Sequence, residues 1–387
     1  MNQPSDRTPA LSTPMRILFI QGMVSEKILD QSASTVAHRI ASAGKRVLGG
    51  TFEVSDRSSL VLPDGTVVQR ASIRRKNQAF ATVHSLSVLA CLEGNTKVEG
   101  VAGLFRNIAP LTETWRIARL LVRGPSKPLT IAYIFILFAS GVLAMLLALA
   151  AAFGVVALLD QVPLLEGLDV AENPVVTAFA GVGAIGIILR FAWPQLFRAT
   201  GKASSEFVSL VSLLRSPFSR SSRRIAKCVR TAIDIIVDSS PTTDLSSPIH
   251  LLGFSMGAIA ATEYISRSEH FRDDVTYELA TFGHPYDLIA SLFPGFYRDR
   301  EVIPGAVRRW TNYESEPDPM SSRFEAGGGA ASMSPDTSYG SATWDPSLCN
   351  LNLFEQLRLK YGVHSAFFRP TADTQGAALD HWMRTLQ

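Results

Sequence analysis

Residues 249–265, "IHLLGFSMGAIAATEYI", read as a buried strand running into a helix, with a serine between two glycines at the junction. Gly253-x-Ser255-x-Gly257 has two readings: a nucleophile presented on a sharp turn, or a small residue that a tight turn needs. With ordinary glycine and serine usage the bare pattern arises by accident in a chain of this length with a probability of about 0.1 to 0.2. The surrounding sequence has to decide.

Working outward, residues 275–285 ("VTYELATFGHP") and 307–313 ("VRRWTNY") read as two more apolar strands. Upstream, residues 15–23 ("MRILFIQGM") read as a buried strand ended by Gly22. A helical pattern follows over 31–47, then "GGTFEVS" and a strand pair around the turn Pro63-Asp64-Gly65. Residues 221–238 place Ile225, Val229, Ala232, Ile233 and Ile236 on one helical face, with Arg223, Arg224, Lys227 and Arg230 mostly opposite. That basic face either touches anionic lipid headgroups or is simply solvated. Strands alternating with helices imply an α/β fold with a doubly wound, mostly parallel sheet. Its functional loops belong at the carboxyl ends of the strands, where Gly22, Ser255, Gly283 and the loop after Tyr313 all fall.

The middle of the chain is different. Residues 129–159 carry no charge, more than the roughly 20 apolar residues a membrane span requires, and residues 173–197 form a second run interrupted by Arg190 near its end, with Trp193 at interface depth. Arg116, Arg119, Arg123 and Lys127 precede the first run, and Arg198 and Lys202 follow the second. The connector holds Asp160, Glu166, Asp169 and Glu172 without Lys or Arg. The expected arrangement is a hairpin with spans at about 131–159 and 174–196, its connector outside and both long flanks in the cytoplasm. The alternative is a pair of buried helices. The chain then divides into a disordered lead (1–14), an amino-terminal part of the α/β domain (15–128), the hairpin (129–200) and a carboxyl-terminal part of the same domain (201–387).

Charged residues make up only 18% of the 387 and the net charge is +3, without the basic clusters of a nucleic-acid binder. Cys91, Cys228 and Cys349 are odd in number and far apart, which argues against a disulfide framework and against a CxxC metal site.

A serine nucleophile needs a histidine base and a carboxylate to orient it. Asp318 stands shortly after the 307–313 strand, with Glu316, Asp336 and Asp345 as rivals, and "YGVHSAFF" offers His364 beyond it. His284 follows its strand too early for the order Ser, Asp, His. His381 is almost terminal, and His250 lies within the nucleophile strand. On "LLGFSMGA", "ATFGHPYDLIASLFPGFY", "RRWTNYESEPDPMS" and "HSAFF", the chain resembles lipase- and esterase-like serine hydrolases of the α/β-hydrolase superfamily, among them bacterial membrane-associated members whose fold is interrupted by a helical hairpin.

The resemblance implies a catalytic set of Ser255, His364 and Asp318, elbow glycines Gly253 and Gly257, and an oxyanion hole from the backbone N–H of Met256 with a second donor at Met23 or beside it at Gly22. The sequence offers no metal cluster, phosphate-binding glycine loop or heptad pattern, so no metal and no cofactor is expected. The family often has histidine where Phe254 and Gln21 stand here, which bears on substrate fit more than on chemistry. Leu292, Phe293 and Phe296 either form an apolar lid or pack on the sheet. The expected function is hydrolysis of carboxylic esters of lipids or lipid-like molecules, by an enzyme anchored in a bacterial inner membrane with its catalytic domain in the cytoplasm. A silent hydrolase-fold binding module and an acyltransferase using the same residues are the alternatives.

Overall fold

The computed structural model describes residues 13–22, 32–62, 66–88, 91, 220–239, 247–267, 269–292, 297, 300–318, 321–324, 335–346, 348, 366–368 and 377–387. All belong to one compact unit. Its centre is strand β1 (Met15–Gln21), whose first six residues are all buried. A strand covered on both faces has no polar side to alternate with, so it reads as one apolar run.

Helix α1 (Ala33–Leu48) starts at Ser32, whose hydroxyl accepts from the Thr35 N–H at 3.3 Å. It leads into an antiparallel meander, β2 (Phe52–Val61), β3 (Val67–Arg75) and β4 (Gln78–Ser87), which returns β4 to lie parallel beside β1. After α2 (Arg220–Asp238) come β5 (Ile249–Phe254), α3 (Met256–Ile265), β6 (Tyr277–Phe282), α4 (Tyr286–Leu292), β7 (Val307–Tyr313), β8 (Thr337–Tyr339) and α5 (Ser341–Trp344). A 3-10 turn at Ala366–Phe368 and α6 (Ala378–Arg384) close the order.

The eight strands form one sheet in the order β2-β3-β4-β1-β5-β6-β7-β8, parallel from β4 through β8. Alternate residues face opposite layers. Ile17, Phe19, Leu252, Phe254, Ala280 and Phe282 join one core with α1, α6 and the 3-10 turn, while α2 and α3 pack together on the other face. The sheet is therefore mostly parallel with helices on both sides, as expected from the alternating pattern. Two strands escape the sequence reading, β4 and β8. Among the described residues no helix is long and apolar enough to cross a membrane. Both expected spans, 131–159 and 174–196, lie outside the described residues.

This topology fixes where chemistry can gather. Gly22, Ser255, Gly283 and Glu314 directly follow β1, β5, β6 and β7, four strands adjacent in the sheet and pointing the same way. Their loops share one edge.

Candidate active site

Ser255 is buried at the junction of β5 and α3, with φ 55 and ψ −121. An L-residue at positive φ forces its Cβ against the backbone, at a cost of order 1–3 kcal/mol. Two backbone bonds hold it there: the Ser255 N–H donates to the Phe282 carbonyl at 2.9 Å, and the Ser255 carbonyl accepts from Ala258 N–H at 2.9 Å. The flanking glycines are required by close approach. A Cβ on Gly257 would overlap the Ile20 carbonyl oxygen and stand 2.9 Å from the Gln21 oxygen, and one on Gly253 would stand 2.6 Å from Ala258 Cα. The first turn of α3 thus lies directly on the end of β1.

Gly22 completes the corner. A Cβ there would stand 2.8 Å from Ser255 Cβ and 3.4 Å from its Oγ, so the first loop passes over the serine hydroxyl with only backbone between. Gln21 turns away, its Nε2 donating to Ser85 Oγ on β4 at 2.6 Å. Met256 is the first residue of α3, so its N–H has no acceptor within the helix and lies at the helix's positive end. Met23 lies outside the described residues.

Asp318 is fully buried just beyond β7, in a tight loop where its N–H donates to Ser315 O and its carbonyl accepts from Ser321 N–H, each at 3.1 Å. The rivals differ in setting. Glu316 is exposed near Arg323, at 3.9 Å. Asp336 immediately precedes β8, where its Oδ2 accepts from Trp310 N–H at 2.7 Å, well back along β7 from the loop edge. Asp345 is buried at the end of α5.

His364 lies outside the described residues. The turn that begins two residues after it packs on the serine strand: Phe368 meets Phe254 at 5.0 Å and Phe282 at 5.2 Å between ring centres, edge-on and tilted respectively. The three histidines set aside above, His284, His250 and His381, have structural partners. His284 is enclosed by Tyr286, Tyr297, Trp310 and Phe324, with Thr262 Oγ1 3.5 Å from its Nε2. Burial depresses its pKa to about 3, so it is neutral at pH 7. His250 is buried near Glu278 Oε2 (3.3 Å) and Trp382. His381 is in α6, with its Nδ1 3.4 Å from Tyr313 OH, and its pKa is lowered by burial and then by Arg384.

Leu292 ends α4, and Phe293 and Phe296 lie outside the described residues. Sequence reasoning missed the bonds that tie the segment after Asp318 to α4 and β7. Asp287 N–H donates to Ser322 Oγ at 2.7 Å, Asp287 Oδ2 accepts from Arg323 N–H at 3.0 Å, and Asn312 Nδ2 donates to Ser322 O at 3.1 Å. The one hint in the sequence is an acidic residue where the helix after a strand would begin. Among the described residues no group of three or more His, Cys, Asp or Glu could hold a metal ion.

Compared with family models, curated proteins and solved structures, the chain matches none.

Proposed function

We propose that the chain is a serine hydrolase of the α/β-hydrolase type, cleaving carboxylic esters through an acyl-enzyme. The observation that carries this is the backbone of Ser255, a serine held at φ 55 between a buried strand and a helix. A turn needing only a small residue takes glycine there without strain, so a serine kept at that cost points to use of its hydroxyl. Gly22 and the Met256 N–H beside it supply the open corner in which an oxyanion would sit.

In this reading Ser255 Oγ attacks the ester carbonyl carbon while His364 takes its proton. The oxyanion accepts from Met256 N–H and from the first loop at Gly22 or Met23. The C–O bond then breaks, and His364 protonates the departing alcohol. Water, deprotonated by His364, cleaves the acyl-enzyme to release the acid and restore Ser255. Asp318 holds the imidazole in the required tautomer. β5 and β7 are two strands apart in the sheet, so their ends stand about 10 Å apart. The packing of Phe368 on Phe254 and Phe282 supports His364 as the source of the imidazole.

The uncharged run 129–159 and the run 173–197 support a membrane hairpin that holds this site near the inner leaflet of a bacterial membrane, with lipids or lipid-like esters as substrates. Fluorophosphonate labelling of membrane fractions tests the chemistry. Wild type should label and Ser255→Ala should lose the signal; equal labelling of both sinks the nucleophile. An unlabelled wild type leaves the fold a non-enzymatic binding module.

A further inference from the structure

The loop carrying Asp318 is bonded into the sheet from one side and into α4 from the other. On the sheet side, Trp310 Nε1 donates to Thr281 Oγ1 (3.1 Å), Thr281 Oγ1 donates to Asn312 Oδ1 (2.9 Å), and Asn312 passes the chain on to Ser322. Within the loop, Ser315 N–H donates to Ser321 Oγ at 2.9 Å, and Ser321 N–H donates to the carbonyl of Asp318 itself. Serine 321 thereby ties both ends of the turn that presents the carboxylate.

Beyond that turn the chain is strained. Phe324 has φ 61 and inserts its ring into the aromatic cluster, stacked on Tyr286 at 4.4 Å and 5.0 Å from His284. A bulky residue at positive φ persists only where its surroundings hold it. The neighbouring backbone is held by Asp287, which receives Arg323 N–H on its carboxylate and gives its own N–H to Ser322. This is a reciprocal pair of bonds between segments 35 residues apart, at the first turn of α4.

We infer that Asp287 is a positioning residue for the acid of the catalytic set: its carboxylate fixes Arg323 while its backbone N–H holds Ser322, and through the neighbouring Ser321 the turn that carries Asp318 is held. The inference rests on the hydrolase reading above. It also makes α4 and the acid loop a single unit, so a substrate that shifts α4 shifts Asp318 with it. Asparagine keeps an oxygen acceptor at the same place and alanine does not.

The test uses the full chain, in membranes or detergent, with p-nitrophenyl butyrate as probe. Asp287→Ala should lower kcat about tenfold with KM changed less than twofold. The acid limb of its kcat/KM profile should move to lower pH, because a histidine that loses its carboxylate neighbour gives up its proton more readily. Asp287→Asn should recover most of kcat and the wild-type pH midpoint. Alanine equal to wild type in kcat and midpoint overturns the inference, as does asparagine no better than alanine. The melting temperature of both variants reports whether loss is merely of fold: an alanine variant whose kcat falls only in step with its unfolded fraction, its midpoint unmoved, also overturns it. A wild type that neither labels nor hydrolyses overturns the hydrolase reading itself, whereas a labelled wild type with an unaffected alanine variant removes only Asp287 from the account.

Discussion

At the scale of single residues, the serine corner is built by absence of side chains. Gly257 has no room for one, since the nearest atoms are backbone of Ile20 and Gln21, which cannot swing aside as a flexible side chain does. Gly257→Ala must push α3 off β1 and should cost about 3 kcal/mol or more, together with loss of fluorophosphonate labelling. Gly305 offers the contrast: at φ 76 it has nothing within 4 Å of a Cβ, so Gly305→Ala meets only backbone strain of about 1–2 kcal/mol. Thermal melts of the two variants, with labelling of each, check this. Equal cost at both positions would mean that α3 and β1 do not meet as described. The same contact explains why the five-residue pattern is weak evidence by itself. Its glycines record how closely α3, β5 and β1 approach, and only the backbone angles of Ser255 separate a reactive corner from a tight one.

At the scale of elements, the histidines under the helices set a pH limit. His284 after β6 and His84 in β4 are buried and held neutral, with pKa values depressed to about 3 and about 4, in both cases chiefly by burial; for His84 the Arg70 charge adds to it. Their unfolded value is near 6.5, so below that pH the unfolded chain binds protons that the folded chain refuses. The stability they leave intact is complete above pH 6.5 and is lost as pH falls toward 4 and then 3, by up to about 1.4 kcal/mol per pH unit for each group. Denaturant midpoints between pH 7 and 4.5 should therefore fall, and His284→Phe, which suits the aromatic enclosure, should make the fall shallower. A variant with the wild-type slope contradicts neutral burial of His284. The elements themselves were unequally legible. β1, β5 and β6 are almost wholly buried and announce themselves as mostly apolar runs, whereas β7 is buried only from Trp310 to Tyr313 and has two arginines just before that stretch. β4 is joined to β3 by Lys76 and Asn77, both at positive φ without a glycine to mark the turn, and β8 is three residues long, too short for any period. Gly22, Ser255 and Asp318 were readable because each follows a strand end. The Asp287 bonds were not, because nothing local announces that α4 lies against a loop 35 residues on.

At the scale of the whole molecule, the sheet constrains everything inserted into it. β1 pairs with β4 on one side and with β5 on the other, with Arg16 opposite Ile249, so strands encoded before and after residues 129–200 share one sheet. The described strands on either side of residues 129–200 must then lie on the same side of any membrane, and a chain that crosses between them crosses an even number of times. That requirement agrees with two spans and excludes one, independently of hydropathy. In the proposed hairpin, with both flanks on one side, the connector carrying Asp160, Glu166, Asp169 and Glu172 would be the part exposed to the other. A reporter active only outside the cytoplasm should give signal when inserted within 163–169 and none when fused at either terminus. Signal at one terminus alone would demand an odd number of crossings and would break the β1–β5 pairing. Silence at all three positions would return 129–200 to the cytoplasm as buried helices, leaving the serine corner without its proposed membrane surface.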